Sequence, residues 1–525
     1  MARAHSTMDR IPGEENVVHK VPRKNTLRIG VLYPSFPQVA LDSLSFQMLY
    51  YWLNSHDEIY AEQVMLDFDG NPIPHTLETE TSLKKLDYIV VTVHYELDLV
   101  NILRILLDAG VEPYSSKREK PIIIAGGPPI IANPLPVSPF IDVLVVGEIE
   151  STLPTLINQI YTYGTEKERL LESLEPSKGF FVPSFYTGEK VVLNYAHSLP
   201  REFHPSIQLQ LSDTHAKWKN RTAVEASRGC FRLCAFCLEG HIFYGVRERP
   251  LDQIRDIVTE GHAYNHSRHV KLVSLSFFDH KGADSILEWL ISHGYSFSIP
   301  SIRAETLNEK RLEYIKQGGQ KTLTIAPETG SLKLSALIRK RLSIEHATDI
   351  SLTAKKLGFT GLKVYLMIGL PGETEDDIDQ TAQYIQKLAE TTGFKGERQL
   401  KITISPFVPK PHTFLQYAPF IGIQEARRRI NLLRKKLGGL ADIRTYDPRL
   451  AQIQTIISRG DLDLSRTLIE WALNGGGLGG WRKVVRLTRL DVNRYLEPVY
   501  KDPPWSFIEF PNLPRSLKFF SSTRG

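Results

Sequence analysis

At 525 residues the chain is too long for one ordinary core, so two or three domains are expected. Its 42% hydrophobic and 23% charged residues argue against long disorder outside the ends, and a net charge of +5 tolerates an anionic substrate without demanding one. No apolar run reaches the length of a membrane span, and three cysteines crowded between 230 and 237 exclude a disulfide framework.

The first segment, 1–26, is polar with scattered charge, and it reads as a flexible tail rather than a signal peptide. From Leu27 onward, short apolar runs at 27–33, 63–68, 87–93, 121–125 and 142–146 alternate with helix-length segments such as 43–54 and 97–109. Continuous apolar strands alternating with helices predict a parallel sheet covered on both faces, a Rossmann-like domain over 27–163. Ligands of such sheets sit beyond the strands' carboxyl ends, which here carry Tyr33-Pro34-Ser35, His94-Tyr95, Gly126-Gly127 and Gly147-Glu148. The next stretch, 164–220, loses this rhythm. It contains Pro176, Pro183, Pro200 and Pro205, with strand-like pieces at 180–186 and 190–195, and reads as a linker with a hairpin.

A second α/β series follows, with strand-like runs at 222–226, 270–276, 296–302, 321–325, 362–368 and 399–405. Six units suit a partial, open barrel over 221–435 better than the closed eight-unit form. The remainder, 436–525, is expected to be a helical, Arg/Lys-rich extension ending in Pro503-Pro504-Trp505. The glycine run 474–480 lacks a following Lys-Ser/Thr, so it is a hinge and not a phosphate loop. Arg482, Lys483, Arg486 and Arg489 beyond it form either a basic face or a solvated helix.

Cys230, Cys234 and Cys237 follow the first strand of the second domain. Three thiolates can hold three irons of a 4Fe–4S cubane and leave the fourth open to an exogenous ligand. The rival is a structural zinc site completed by His241; placement in a strand-to-helix loop favours the cluster. Other chemistry-bearing residues sit at strand ends of the same barrel. Ser276 ends the second strand, and Arg303 after the third could grip a carboxylate, or make a surface salt bridge. Glu328 after the fourth could accept bonds from an amino group or ribose hydroxyls, or cap the next helix. Gly369-Leu370-Pro371-Gly372-Glu373 after the fifth would let backbone approach an adenine, or serve only as a turn with Thr374 as N-cap. Lys410 and His412 after the sixth could meet a substrate phosphate or carboxylate, or decorate a Pro-rigidified loop.

The cysteine spacing resembles that of the radical S-adenosylmethionine superfamily, as does Phe236 just before the last cysteine. The Gly369–Glu373 string is similar to the loop of the Elongator and tRNA-methylthiolation groups. Longer strings extend the likeness to cobalamin-binding-domain radical S-adenosylmethionine proteins, an uncharacterised prokaryotic group. These are Tyr33-Pro34 with Ser43-Leu44-Ser45-Phe46-Gln47, Ala125-Gly126-Gly127, Gly147-Glu148-x-Glu150, the 405–413 segment and Ser458-Arg459-Gly460-Asp461.

The resemblance implies a cluster on the three cysteines, cleaving S-adenosylmethionine to a 5′-deoxyadenosyl radical. It implies that Phe236, Ser276, Arg303, Glu328, Gly369, Pro371 and Gly372 lie around that cosubstrate, with Gly126, Gly127 and Glu148 at a cobalamin. One departure stands out: the Asp-x-His-x-x-Gly loop that gives cobalt a histidine is absent from 27–163. Cobalamin bound without it and cobalamin absent are therefore both open, and His75 and His94 read as solvated or core residues.

Three functions follow: a radical enzyme that methylates an unactivated carbon when cobalamin is present, an RNA-modifying radical enzyme, or a non-catalytic metal- or cobalamin-binding regulator. Lack of a second cysteine triad argues against methylthiolation. The substrate is a small molecule or RNA, a reducing electron-donor protein is required, and reduced thiols point to the cytoplasm.

Overall fold

The structure is a computed structural model that describes residues 14–211, 220–340, 343–499 and 503–514. Strands β1 (Leu27–Leu32), β2 (Ile59–Val64), β3 (Tyr88–Thr92), β4 (Ile122–Gly126) and β5 (Val143–Val145) form a parallel sheet in the order β2-β1-β3-β4-β5. β3 and β4 are continuous apolar runs because both sheet faces are covered. β2 starts four residues before the expected 63. Glu62 and Gln63 interrupt its apolar pattern; the buried Glu62 carboxylate is matched by Arg28, Thr76 and Thr79.

Helix α1 (Leu44–Asn54) starts at Ser43, whose side chain accepts from Phe46 N, and it packs one sheet face. Helix α2 (Leu99–Asp108) buries Ile102, Leu103, Ile105 and Leu106 on the other. The short α3 (Pro128–Ala132) follows β4, and α4 (Ile149–Tyr163) follows β5.

Two expectations are corrected. The supposed tail is packed from Glu14 onward: Glu14–Glu15 pair with Gln210–Leu211, and Val18 N donates to Tyr50 Oη at 2.9 Å. Residues 1–13 lie outside the described residues. Among the described residues of 164–220 no hairpin forms either. β6 (Phe180–Phe181) adds antiparallel to β5, whereas Val191–Val192 pair with Ile508–Glu509 near the other end of the chain.

The second series gives parallel strands β7 (Thr222–Glu225), β8 (His269–Val273) and β9 (Ser296–Ser298), with α5 (Leu238–Ile242) between the first two. A four-stranded parallel sheet continues with β10 (Thr322–Glu328), β11 (Gly361–Ile368), β12 (Leu400–Pro406) and β13 (Asp442–Thr445). One core runs behind both sheets, from Val224 and Leu272 to Val364 and Ile402, so they form one open, curved wall. β13 lies beyond the expected limit of 435; its Asp-Ile-Arg-Thr sequence carries no apolar run to betray it.

Helices α6 (Leu332–Leu337) and α7 (Glu375–Thr392) follow β10 and β11. α8 (Leu464–Leu473) and α9 (Gly477–Thr488) return to cover α2, with Trp471 and Trp481 rings 5.0 Å apart. The glycine run is a fixed turn here: Gly475, Gly476 and Gly477 have φ of 80°, 69° and 64°, and Trp471 Nε1 donates to Gly477 O at 2.8 Å. Among the described residues no helix is long and apolar enough to cross a membrane.

Candidate functional site

The carboxyl ends of the two parallel sheets meet across a cavity of about 570 Å3. Tyr33, Thr92, Gly126, Gly127 and Glu148 line it from the first domain; Arg228, Ser274, Leu275, Pro300 and Ser301 line it from the barrel. Gly127 is required where it stands. Its φ is +113°, and a Cβ would lie 2.0 Å from Val93 O, so the chain can turn into α3 only without a side chain.

His94 lies on the same wall, with Nε2 2.7 Å from Ser45 Oγ and its ring stacked on Tyr33. Burial pushes it down to about 4, so it is neutral at physiological pH. His75 Nδ1 faces Thr76 O at 3.0 Å. A bare glycine wall beside a largely apolar chamber fits a flat organic cofactor, and Ser45 already engages the one histidine there.

Glu148 is held from the barrel side. Arg228 reaches it at 2.8 Å and Arg247 at 3.0 Å. Arg228 also takes Glu150 and Glu225, each at 2.7 Å. This ionic cluster ties the first domain to the residue two places before Cys230.

The cysteine loop starts at Gly229, whose φ of +86° and a Cβ position 2.0 Å from Gly245 O exclude any other residue. Cys230 and Cys234 are buried and Cys237 is half-buried. Each sulfur has a donor: Arg232 N to Cys230 at 3.4 Å, Arg303 Nη1 to Cys234 at 3.5 Å, and Gly240 N to Cys237 at 3.4 Å.

Burial pushes the Cys230 thiol up and the Cys237 thiol up to about 12, a cost that the charge of a bound metal would offset. Three sulfurs that each accept an N–H, two of them on buried cysteines, are a donor set that fits an iron–sulfur cluster. His241 turns its Nδ1 to Cys237 O at 2.7 Å. Among the described residues no group of three or more His, Cys, Asp or Glu gathers tightly enough to hold an ion.

Phe236 packs against Leu334, Ile338, Leu370 and Phe407, joining the cysteine loop to the glycine loop after β11. In that loop Gly369 has φ +82°, and its N–H donates to Glu373 Oε2 at 2.6 Å; Glu373 is paired with Arg429. Pro371 is partly buried, and Gly372 O accepts from Lys333 Nζ at 3.0 Å. Thr374 starts α7 as the turn reading expected, its N–H donating to Asp377 at 2.8 Å.

Ser276 is buried beyond β8 and its N–H donates to Ser274 Oγ. Arg303 bonds Glu305 at 2.7 Å but leaves Nε buried without a partner, a donor available to a carboxylate. Glu328 holds the left-handed φ of +67° and accepts from Lys340 at 2.8 Å. It caps no helix: Ser331 caps α6.

Of the site residues expected from the sequence, Gly126, Gly127 and Glu148 line this cavity, whereas the three cysteines, the residues expected around S-adenosylmethionine, and Lys410 and His412 lie outside its lining. Lys410 pairs with Glu96 and reaches Ser458 Oγ at 3.3 Å; His412 Nε2 meets Ala132 O at 2.9 Å, and burial pushes its ring down to about 3. Their loop seals the seam between domains. Sequence reasoning passed over Arg228 and Glu239, which line the cavity. Arg228 had one signal, its place next to the Gly-Cys start of the cluster motif; Glu239 had none.

Two family models match: "Radical SAM proteins, N-terminal" over 45–183 and "Radical SAM superfamily" over 224–385. The chain is similar to an uncharacterised protein of Methanocaldococcus jannaschii, 29% identical over 446 residues, 84% of this chain and 90% of that one. It also resembles an uncharacterised methyltransferase of Pyrococcus horikoshii, 26% identical over 285 residues, 51% of this chain and 59% of that one.

Among solved structures it shares its fold with the cobalamin-dependent S-adenosylmethionine radical enzyme OxsB, solved with aqua-cobalamin and S-adenosylmethionine. That match has a TM-score of 0.52 at 14% identity and covers 88% of this chain and 71% of that one. The fold of the radical S-adenosylmethionine methyltransferase TsrM from Kitasatospora setae, with tryptophan and an S-adenosylmethionine analogue, is equally similar. Its TM-score is 0.52 at 12% identity, covering 72% of this chain and 73% of that one.

Proposed function

This chain belongs to the radical S-adenosylmethionine superfamily, and we propose that it is a cobalamin-using member that methylates an unactivated carbon of a substrate held between its two sheets. The observation that carries this reading is the cavity itself, where the carboxyl ends of a Rossmann-like sheet and of a radical-enzyme barrel face each other. When bound, the cluster and S-adenosylmethionine supply a carbon radical, and cobalamin supplies the methyl group.

The protein's part is to hold and orient. Cys230, Cys234 and Cys237 hold the cluster, and their three N–H donors stabilise the thiolate charge. Arg303 would offer its unpartnered Nε to the methionine carboxylate, while Glu328 and the 369–372 loop, at the ends of the neighbouring strands β10 and β11, would border the remainder of S-adenosylmethionine. Gly126 and Gly127 give a corrinoid a wall without side chains. Aliphatic residues such as Leu44, Leu49, Ile131 and Leu153 keep much of the chamber dry, which protects a radical from water. A low-potential electron-donor protein completes the system.

The test is anaerobic reconstitution with iron and sulfide, with and without hydroxocobalamin, followed by reduction with S-adenosylmethionine and chromatography of the nucleosides. 5′-Deoxyadenosine, together with S-adenosylhomocysteine that appears only with cobalamin, is expected; Cys234→Ala should lose cluster and products together. Turnover retained by Cys234→Ala would sink the assignment.

A second reading, an RNA substrate, is favoured by α9. Arg482, Lys483, Arg486 and Arg489 are all exposed, none has an ion pair among the described residues, and the helix contains no acid. The chain is also 24% identical, over 196 residues, to a tRNA-2-methylthio-N(6)-dimethylallyladenosine synthase of Burkholderia vietnamiensis, 33% of this chain and 41% of that one.

A further inference from the structure

The cavity wall carries charged groups from both domains, and they are paired with one exception. Asp42 takes Lys271 at 2.7 Å and Arg221 at 2.5 Å. Glu148 and Glu225 take Arg228 at 2.8 and 2.7 Å. Among the described residues, Glu239 is the one charged lining residue without an ion pair or a side-chain hydrogen bond.

Glu239 stands in the first turn of α5, two residues past Cys237, and Phe243 one turn later lines the same chamber. A carboxylate there suits a helix N-terminus, but that effect asks only for a charge near the end, and a solvated one would serve. This one keeps its accessible surface on the wall of a chamber with a largely aliphatic lining. An exposed, unpaired carboxylate on that wall is open to a cationic group that enters the chamber.

We propose that Glu239 anchors the substrate, and that the substrate is an amphipathic cation. Its carboxylate accepts N–H bonds from a protonated amine or amidine, while the aliphatic wall takes the substrate's apolar body. This rests on the reading of the cavity as the reaction chamber. It adds the chemical class of the substrate and a binding residue that no motif marks. The same carboxylate could instead meet the ammonium group of S-adenosylmethionine, so the experiment separates the two sources.

Protein carrying its cluster and hydroxocobalamin is titrated by calorimetry with benzylammonium, benzyl alcohol and benzoate, probes of one shape and three charges. Benzylammonium should bind about ten- to hundredfold more tightly than the alcohol, the worth of a charge-assisted hydrogen bond. Glu239→Gln should remove that preference and Glu239→Lys should turn it towards benzoate, each with iron and sulfide content equal to the parent. Excess L-methionine should leave benzylammonium binding unchanged.

Equal binding of ammonium and alcohol by the parent, a preference that survives Glu239→Gln, or displacement by L-methionine would overturn the proposal. The parent's own comparison decides the matter if a variant loses its cluster. Absence of 5′-deoxyadenosine from the parent is a separate failure, that of the functional reading.

Discussion

Replacing Glu148 with Gln separates two roles for the same carboxylate. As a mere corrinoid contact, Glu148 would matter only to the loaded enzyme. Its surroundings argue for more: it is 3% exposed and receives Arg228 and Arg247 from the barrel. Arg228 keeps Glu150 and Glu225 after the change, whereas Arg247 loses its only carboxylate among the described residues and retains the face of Tyr195 at 3.9 Å. Breaking a buried pair costs about 3–5 kcal/mol. One guanidinium of two is stranded and Gln still offers an acceptor, which places the loss at about 2–3 kcal/mol on that scale. The assay is urea unfolding of cobalamin-free protein followed by tryptophan fluorescence. Adding Arg247→Met removes the stranded charge and should restore at least half of the loss. A loss under about 1 kcal/mol, or no recovery in the double variant, would refute the clamp; an unchanged midpoint with weaker hydroxocobalamin binding would point to the corrinoid role instead.

His204 is 1% exposed, takes the Glu225 N–H on Nε2 at 3.1 Å and donates from Nδ1 to Pro205 O; burial pushes it down to about 3. A histidine depressed in the folded state favours the neutral form, so its contribution is complete above the unfolded value near 6.5 and falls as pH drops towards 3, by up to about 1.4 kcal/mol per unit. Between pH 6.5 and 5, above the range of the partner Glu225 (about 2), His204→Gln should flatten the stability profile; parallel profiles would count against this. Arg303→Gln removes a cation and an N–H from the Cys234 sulfur. Its cluster should form but titrate at a more negative potential by electron paramagnetic resonance, and an unchanged potential would show the contact to be idle. If RNA is the substrate, Arg482→Glu with Arg486→Glu and Arg489→Glu should abolish salt-sensitive binding of total tRNA in a filter assay. Equal retention by parent and variant would remove α9 from that role.

Much of this arrangement was legible because parallel sheets write themselves as unbroken apolar runs, as in 88–92 and 122–126. The places of the cysteine loop after β7 and of the glycine turn after β11 were legible too, since each follows an apolar run directly. What escaped was everything held together across domains. Val191–Val192 find their partner at Ile508–Glu509, and residues 14–15 find theirs at 210–211; neither pairing has a local signal. Lys410 looked like a substrate group because it follows a barrel strand, yet its counter-charge, Glu96, comes from the other domain.

The same logic explains why the cavity exists. Each sheet leaves its strand ends open, because loops there must turn back without filling the space over the strands. Facing two such ends makes a chamber, but two open domains would gape without a fixed angle between them. Arg228 supplies a constraint at the cysteine loop, Lys410 with Glu96 a second at the sixth barrel strand, and α8 with α9 a third against α2. Because Arg228 precedes Cys230 by two residues, the constraint that sets the chamber's height also sets how far the cysteine loop stands from the opposite wall.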